Sequence, residues 1–166
     1  MTHPCDLSAI EARRLIGMRK LSPVELLESC LRRIEKTNPH INAIVALDEK
    51  RAIAAAKTAE EAVHRGEALG ILHGLPVGIK DLQATKGLRT TWGSLLFENH
   101  IPTDDAAYVA QVRAAGGIIL AKTNTPEFGA GANTTNRVYG PTGNPFNPSM
   151  TCGGSSGGSA VALARP

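Results

Sequence analysis

Residues 104–121 constrain the fold more than any other part of the chain. Asp104 or Asp105 caps a helical pattern that runs to Ala115. Gly116 and Gly117 then stop it, and Ile118, Ile119, Leu120 and Ala121 follow as an unbroken apolar run. A helix, a tight glycine turn and a strand without polar alternation is the grammar of α/β proteins, where helices cover a buried sheet. Upstream, Leu75 to Ile79 reads as a second short buried strand ending in two charges, Lys80 and Asp81. The fold class expected is therefore α/β, with helices layered on a sheet.

The N-terminal third reads as helices. Ser8 and Glu11 have capping-box spacing, and Ala12, Leu15 and Ile16 share one face of a helix reaching about Lys20. The device repeats at Ser22 and Glu25, with Pro23 at the first helical position, where a missing N–H costs nothing. Val24, Leu27, Leu31 and Ile34 form the buried stripe of that second helix, and Asn38 with Pro39 ends it. Residues 41–47 read as a strand or extended packing segment. Residues 48–65 make an alanine-rich helix that offers Ala54, Ala55, Ala59, Ala62 and Val63 for close packing, with Gly66 and Gly70 punctuating its end. Aromatic residues are only 4% of the chain, so the core is built from Ala, Val, Ile and Leu.

Several function classes find no support. The net charge of +3 is scattered and no basic run carries interleaved aromatics, which argues against direct nucleic-acid binding. Three cysteines at unrelated spacings argue for reduced thiols in a cytoplasm. Cys30 falls on a helix face and Cys5 in an N-terminal tail, both read as inert. The five histidines are isolated and no CxxC occurs, so no metal site is expected. Nowhere do 18 apolar residues run together, and the N-terminus lacks a signal-peptide core, so no membrane association is expected. The length suits one domain, and no interdomain linker is visible across residues 1–166.

From Thr123 to Ser159 the chain is dominated by Gly, Asn, Thr, Pro and Ser, too long a structureless stretch for a compact domain unless it is functional. It closes on GGSSGGS, residues 153–159. That heptapeptide has two readings: a flexible tether, or a strained backbone that displays hydroxyls. Ordered neighbours favour the second. Residues 159–164 look like the first turns of a helix, and GPTGNPFNP (140–148) is stiff turn chemistry. A phosphate cradle is set aside, because no Gly-Lys-Ser/Thr follows and no GxGxxG is present. Lys80 also has two readings. It can snorkel to solvent or pair with Asp81, or it can be a desolvated amine that takes a proton from a nearby hydroxyl.

GLPVGIKD (74–81), KTNTPEFG (122–129), GPTGNPFNP (140–148) and GGSSGGSA (153–160) occur in that order, with LSPVELLESCLRRIEKTNPHINAIV (21–45) and GLRTTWGS (87–94). On these motifs the chain closely resembles the amidase signature family, from about residue 7 to 164. The resemblance implies N-terminal helices followed by part of a central mixed β-sheet flanked by helices, the N-terminal portion of one amidase-signature domain. It implies carboxamide hydrolysis through a Ser–cis-Ser–Lys triad with an acyl-enzyme intermediate. Lys80 matches the lysine, and Ser155 the bridging serine whose preceding peptide bond is cis. Ser156 would hold the loop and hydrogen-bond the site, and Gly129 lies where family members offer a backbone carbonyl to the leaving amide. Hydroxyls both donate and accept, so Ser155 can relay a proton from the nucleophile to neutral Lys80. The partner implied is a small-molecule amide, with a homodimer admitted and no metal or organic cofactor.

One departure is large. The family's nucleophilic serine belongs to a TDxGGS-like turn about two dozen residues past GGSSGGS, whose N–H groups also form the oxyanion hole. These 166 residues contain no such turn, and Ser159 matches the serine that closes GGSSGGS. Arg165 and Pro166 also break from the family's usual continuation. The expectation is the N-terminal part of an amidase, inactive by itself and poorly soluble if expressed alone. Alternatives are the A subunit of a glutamyl- or aspartyl-tRNA amidotransferase, a non-catalytic fragment acting as a binding module, and a structural protein with a Gly/Ser tail.

Overall fold

Serine caps open the first two helices. In the computed structural model, which describes residues 3–164, Ser8 Oγ accepts from the Glu11 N–H at 3.2 Å and starts α1, Ala9–Gly17. The capping box is half made, because the Glu11 carboxylate turns to the Arg14 guanidinium at 2.7 and 2.9 Å. The helix stops at Gly17, short of the expected Lys20, and Arg19 takes a φ of 58°. Ser22 Oγ accepts from Val24 and Glu25 N–H at the start of α2, Pro23–Ile41. Pro39 does not end α2 as expected. It sits in the last turn, and the helix closes at Asn42 with φ 48°. Asn38 holds that corner, its Oδ1 accepting from Ala43 and Ile44 N–H while its Nδ2 donates to the Ile44 carbonyl. The chain turns there directly into β1, Ile44–Leu47.

α2 packs two ways at once. Leu26 joins Ala12, Ile16, Leu21, Val63 and Leu75, while Leu27 joins Ala52, Ala56, Ile118, Leu120 and Ala121. Val24, Leu31 and Ile34, expected as the buried stripe, are only partly covered. The next helix, α3 (Glu49–Arg65), is capped by Asp48 and ends at Gly66 with φ 71°. Its buried residues are Ala52, Ala56, Ala59, Ala62 and Val63, whereas Ala54 and Ala55 face solvent. With only Ile53 and Val63 as larger apolar residues among the alanines, the sequence fixes the rotation weakly and the neighbours set the phase. Gly70 does not end it either: that residue lies so close to the Ala115 carbonyl that a Cβ would collide with it.

The sheet is mixed. β2 (Pro76–Lys80) runs parallel to β3 (Ile118–Thr123), β1 runs antiparallel to it, and the order is β1-β3-β2. Ile118 to Ala121 are buried, as their apolar run predicts, and Lys122 and Thr123 beyond them are buried as well. β2 departs from expectation, because it forms an edge where only Ile79 is fully buried and Gly78 is exposed. Ile118, Leu120 and Ala121 meet α2 and α3, while Ile119 and Ile79 meet Val109 and Val112 of α4, Ala107–Ala114. The α/β layering expected of the sequence is thus the observed one.

Further element starts differ from expectation, and so does the N-terminal segment. α4 begins at Ala106 without a side-chain cap. Asp105 instead accepts from the Lys86 N–H at 2.8 Å and pairs with Arg113 at 2.7 Å. The last helix, α5, spans Gly157–Ala164 and so starts two residues before Ser159. Cys5 lies in a short turn docked on α2, its N–H donating to Ser29 Oγ while Asp6 pairs with Arg33 at 2.7 Å. Arg165 and Pro166 lie outside the described residues. Among the described residues no helix is long and apolar enough to cross a membrane.

Candidate active site

β2 delivers Lys80 to the C-terminal end of the strand, at the edge of the sheet formed by the described residues. Its register partner is Thr123, the last residue of β3, whose Oγ1 lies 2.7 Å from Ser159 Oγ on α5. That contact seats the start of α5 beside the lysine. Lys80 Nζ lies 2.9 Å from Ser155 Oγ and 2.9 Å from Ser156 Oγ. The peptide bond between Gly154 and Ser155 is cis. Lys80 and Ser155 are half-buried and Ser156 is exposed. Desolvation holds the Lys80 amine below the ordinary lysine value of 10.5.

The glycines of GGSSGGS are packing requirements more than hinges. A Cβ on Gly157 would collide with Thr134 Oγ1 and Cys152 Sγ, and one on Gly158 with the backbone nitrogen of Asn124. Thr134, which no sequence motif singles out, closes the loop with one hydroxyl. It donates to the Gly153 carbonyl at 2.8 Å and accepts from the Gly157 N–H at 3.0 Å. Thr125 Oγ1 adds a 3.4 Å contact to the Ser155 carbonyl. The flexible-tether reading fails because the segment is held against backbone and buried side chains.

Asp81 is not the partner of Lys80. Side chains alternate along a strand, so Asp81 points to the opposite face, where it is fully buried. Its carboxylate accepts from the Thr91 N–H and from Thr91 Oγ1 at 2.6 Å, and lies 3.8 Å from Lys122 Nζ. Lys122 is also fully buried and donates to Thr85 Oγ1 (2.9 Å), Thr90 Oγ1 (3.0 Å) and the Gln83 carbonyl. Desolvation pulls its pKa down to about 8, against the pull of Asp81. Desolvation likewise raises the Asp81 carboxyl, against its Thr91 hydrogen bonds. The sequence carried a signal for this pair: Lys122 follows an apolar run just as Lys80 does.

Gly129 makes no hydrogen bond to Lys80, Ser155 or Ser156 among the described residues. It closes the turn Glu127–Gly129 with φ 74° and abuts Leu82, whose Cδ1 is 2.6 Å from where its Cβ would stand. Leu82 is itself tied down, its carbonyl accepting from Trp92 Nε1 at 3.1 Å, while the Trp92 carbonyl accepts from the Phe128 N–H at 2.7 Å. The structure brings Lys80, Ser155 and Ser156 together, while Gly129 meets Leu82, two residues past Lys80 in the chain. Elsewhere, burial raises the Cys30 thiol to about 11, in keeping with an inert residue. Among the described residues no group of three His, Cys, Asp or Glu could hold a metal ion.

A lysine amine thus lies within hydrogen-bond reach of two hydroxyls on a glycine-packed turn, at the end of a mixed sheet. The chain belongs to the amidase signature family: the family model Amidase matches residues 25–166. It is 44% identical over 158 residues to an acylamidase of Rhodococcus erythropolis, covering 95% of this chain and 33% of that protein. It is 42% identical over 164 residues to the A subunit of the glutamyl-tRNA(Gln) amidotransferase of Streptomyces coelicolor, covering 99% of this chain and 33% of the relative. A bacterial aryl acylamidase structure superposes with a TM-score of 0.91 at 33% identity, covering 95% of this chain and 33% of that one. The chain thus spans about a third of the length of the curated relatives it matches.

Proposed function

We propose that this chain is the base-and-relay portion of an amide hydrolase, forming with its relatives' type of fold one catalytic domain. The observation that carries the reading is the 2.9 Å contact between Lys80 Nζ and Ser155 Oγ. Neutral Lys80 takes the Ser155 proton as Ser155 takes one from a nucleophilic serine. That serine attacks the amide carbon, the C–N bond breaks, and the amine leaves with a proton returned along the relay. Water then cleaves the acyl-enzyme. Ser156 holds the Lys80 amine from the second side, and the Gly129 carbonyl receives an N–H of the leaving amide. The nucleophile belongs to a TDxGGS-like turn that these 166 residues do not contain, so the segment alone should not turn over amides. The protein acts in the cytoplasm on a small-molecule amide, with a homodimer as its simplest assembly.

A second reading has its own support in the 42% identity to an amidotransferase A subunit. In it the same relay releases ammonia for delivery to a tRNA-bound acyl group through partner subunits. The test is turnover of acetamide, benzamide and glutamine by the protein at the length of its relatives. Amide hydrolysis lost in Lys80→Ala and Ser155→Ala supports the first reading. Glutamine cleavage only in the presence of two co-purifying subunits favours the second, and retained activity in Lys80→Ala overturns both.

A further inference from the structure

The motif KTNTPEFG contributes a second lysine that the relay does not use. Lys122 is fully buried, yet it is surrounded by polar groups drawn from one short segment: Gln83, Thr85 and Thr90 around its amine, and Asp81 beside it. Thr85, Thr90 and Thr91 are themselves fully buried. A buried ion pair is weak evidence for stability, since apolar residues of similar volume often serve as well, and its presence here calls for another reason. The geometry supplies one. The Asp81 N–H donates to the Thr123 carbonyl at 2.9 Å, which locks the end of β2 to the end of β3. Asp81 sits between Lys80 on one side and Leu82, the neighbour of Gly129, on the other.

We propose that Lys122 and Asp81 form a buried clamp that positions the Lys80 amine against Ser155 and, in the same act, fixes the Leu82–Gly129 contact. Lys122 is a positioning residue here. It lies on the opposite face of the sheet from Lys80, since it registers with Ile79, and it touches neither serine. Its charge fixes where residues 81–91 run, because four polar contacts converge on one amine. Through the rigid backbone of residues 80–82, that sets the direction from which Lys80 reaches the Gly154–Ser155 turn. The inference rests on the assignment of Lys80 as the base.

The test uses the protein at the length of its relatives, with both charges removed together so that neither is left buried and unpaired: Lys122→Met with Asp81→Asn. Three readouts are taken: melting temperature, kcat and KM for amide hydrolysis, and the 13C NMR signal of the Lys80 side chain. The clamp predicts a cooperative melt, kcat reduced at least tenfold with KM within about threefold, and the Lys80 signal displaced toward that of an ordinary exposed lysine. A folded double variant with wild-type kcat and an unmoved Lys80 signal overturns it. Should the double variant not fold, Thr91→Val and Thr91→Ser decide, since valine deletes the hydroxyl bonded to Asp81 and serine restores it. Loss of kcat in the valine variant with recovery in the serine variant supports the clamp, and equal behaviour of the two overturns it. If the wild type hydrolyses no amide, the proposed function fails, while the NMR readout still tests the clamp by itself.

Discussion

Two lysines lie near the ends of adjacent strands, Lys80 last in β2 and Lys122 next to last in β3, and differ in what surrounds them. Lys80 keeps part of its surface, and desolvation alone holds its pKa below 10.5. As a base it works in the neutral form, so kcat/KM of the relative-length protein should rise with pH through a midpoint below 10.5. A pH profile flat from 6 to 10 would remove Lys80 from that role. Lys122 is fully buried with a pKa of about 8, and its unfolded form titrates near 10.5. The unfolded state therefore holds more protons than the native state between those values. Lys122 should make unfolding free energy rise with pH in that window, by at most about 1.4 kcal/mol per pH unit. Urea titrations of wild type and Lys122→Met at pH 8, 9 and 10 isolate this slope; equal slopes count against it. Lys122→Met alone leaves Asp81 buried without its cation and should cost about 3–5 kcal/mol near neutral pH.

Helices α2 and α5 do the positioning at the next scale up. α2 is held by a serine cap and by Leu27, which is fully buried between α3 and β3. Leu27→Ala should destabilise by about 2–5 kcal/mol, the range for a leucine deleted from a packed core, in chemical denaturation. Ser22→Ala should cost about 1 kcal/mol through the lost cap. The first turn of α5 matters differently, because Gly158 faces the Asn124 backbone and the Ala43 carbonyl at distances that exclude any side chain. Gly158→Ala must push α5 off the end of β3, carrying Ser155 and Ser156 away from Lys80. It should lower kcat by more than the drop in melting temperature accounts for. A variant that keeps full activity would show that α5 has room to move.

Across the described residues, β2 is an edge with one hydrogen-bonded neighbour, and an apolar cavity of about 490 Å³ opens among α1, α2, β2, β3 and α5. Leu96, Ile101, Phe128 and Leu163 stand exposed. An unpaired edge beside apolar surface favours association, so these 166 residues produced alone should self-associate in sedimentation experiments. A stable monomer with a sharp melt would contradict this. Much of the layout was legible before any coordinates. The serine caps, the Gly116–Gly117 stop and the run from Ile118 to Ala121 depend on local chemistry, and local chemistry is written in neighbouring residues. The family resemblance carried by the motifs likewise implied the pairing of Lys80 with Ser155, 75 positions apart. Rotation of α3 was not legible, since alanines look alike on every side and only the partner helix and sheet choose among them. Nor was the edge position of β2, because an apolar strand reads the same beside one neighbour or two. The sequence by itself determined which segments are helix, strand and shaped loop, through caps, glycines and apolar runs. Only the tertiary structure decided that Asp81 turns away from Lys80 toward Lys122, because strand register and sheet face exist only once separate strands have paired.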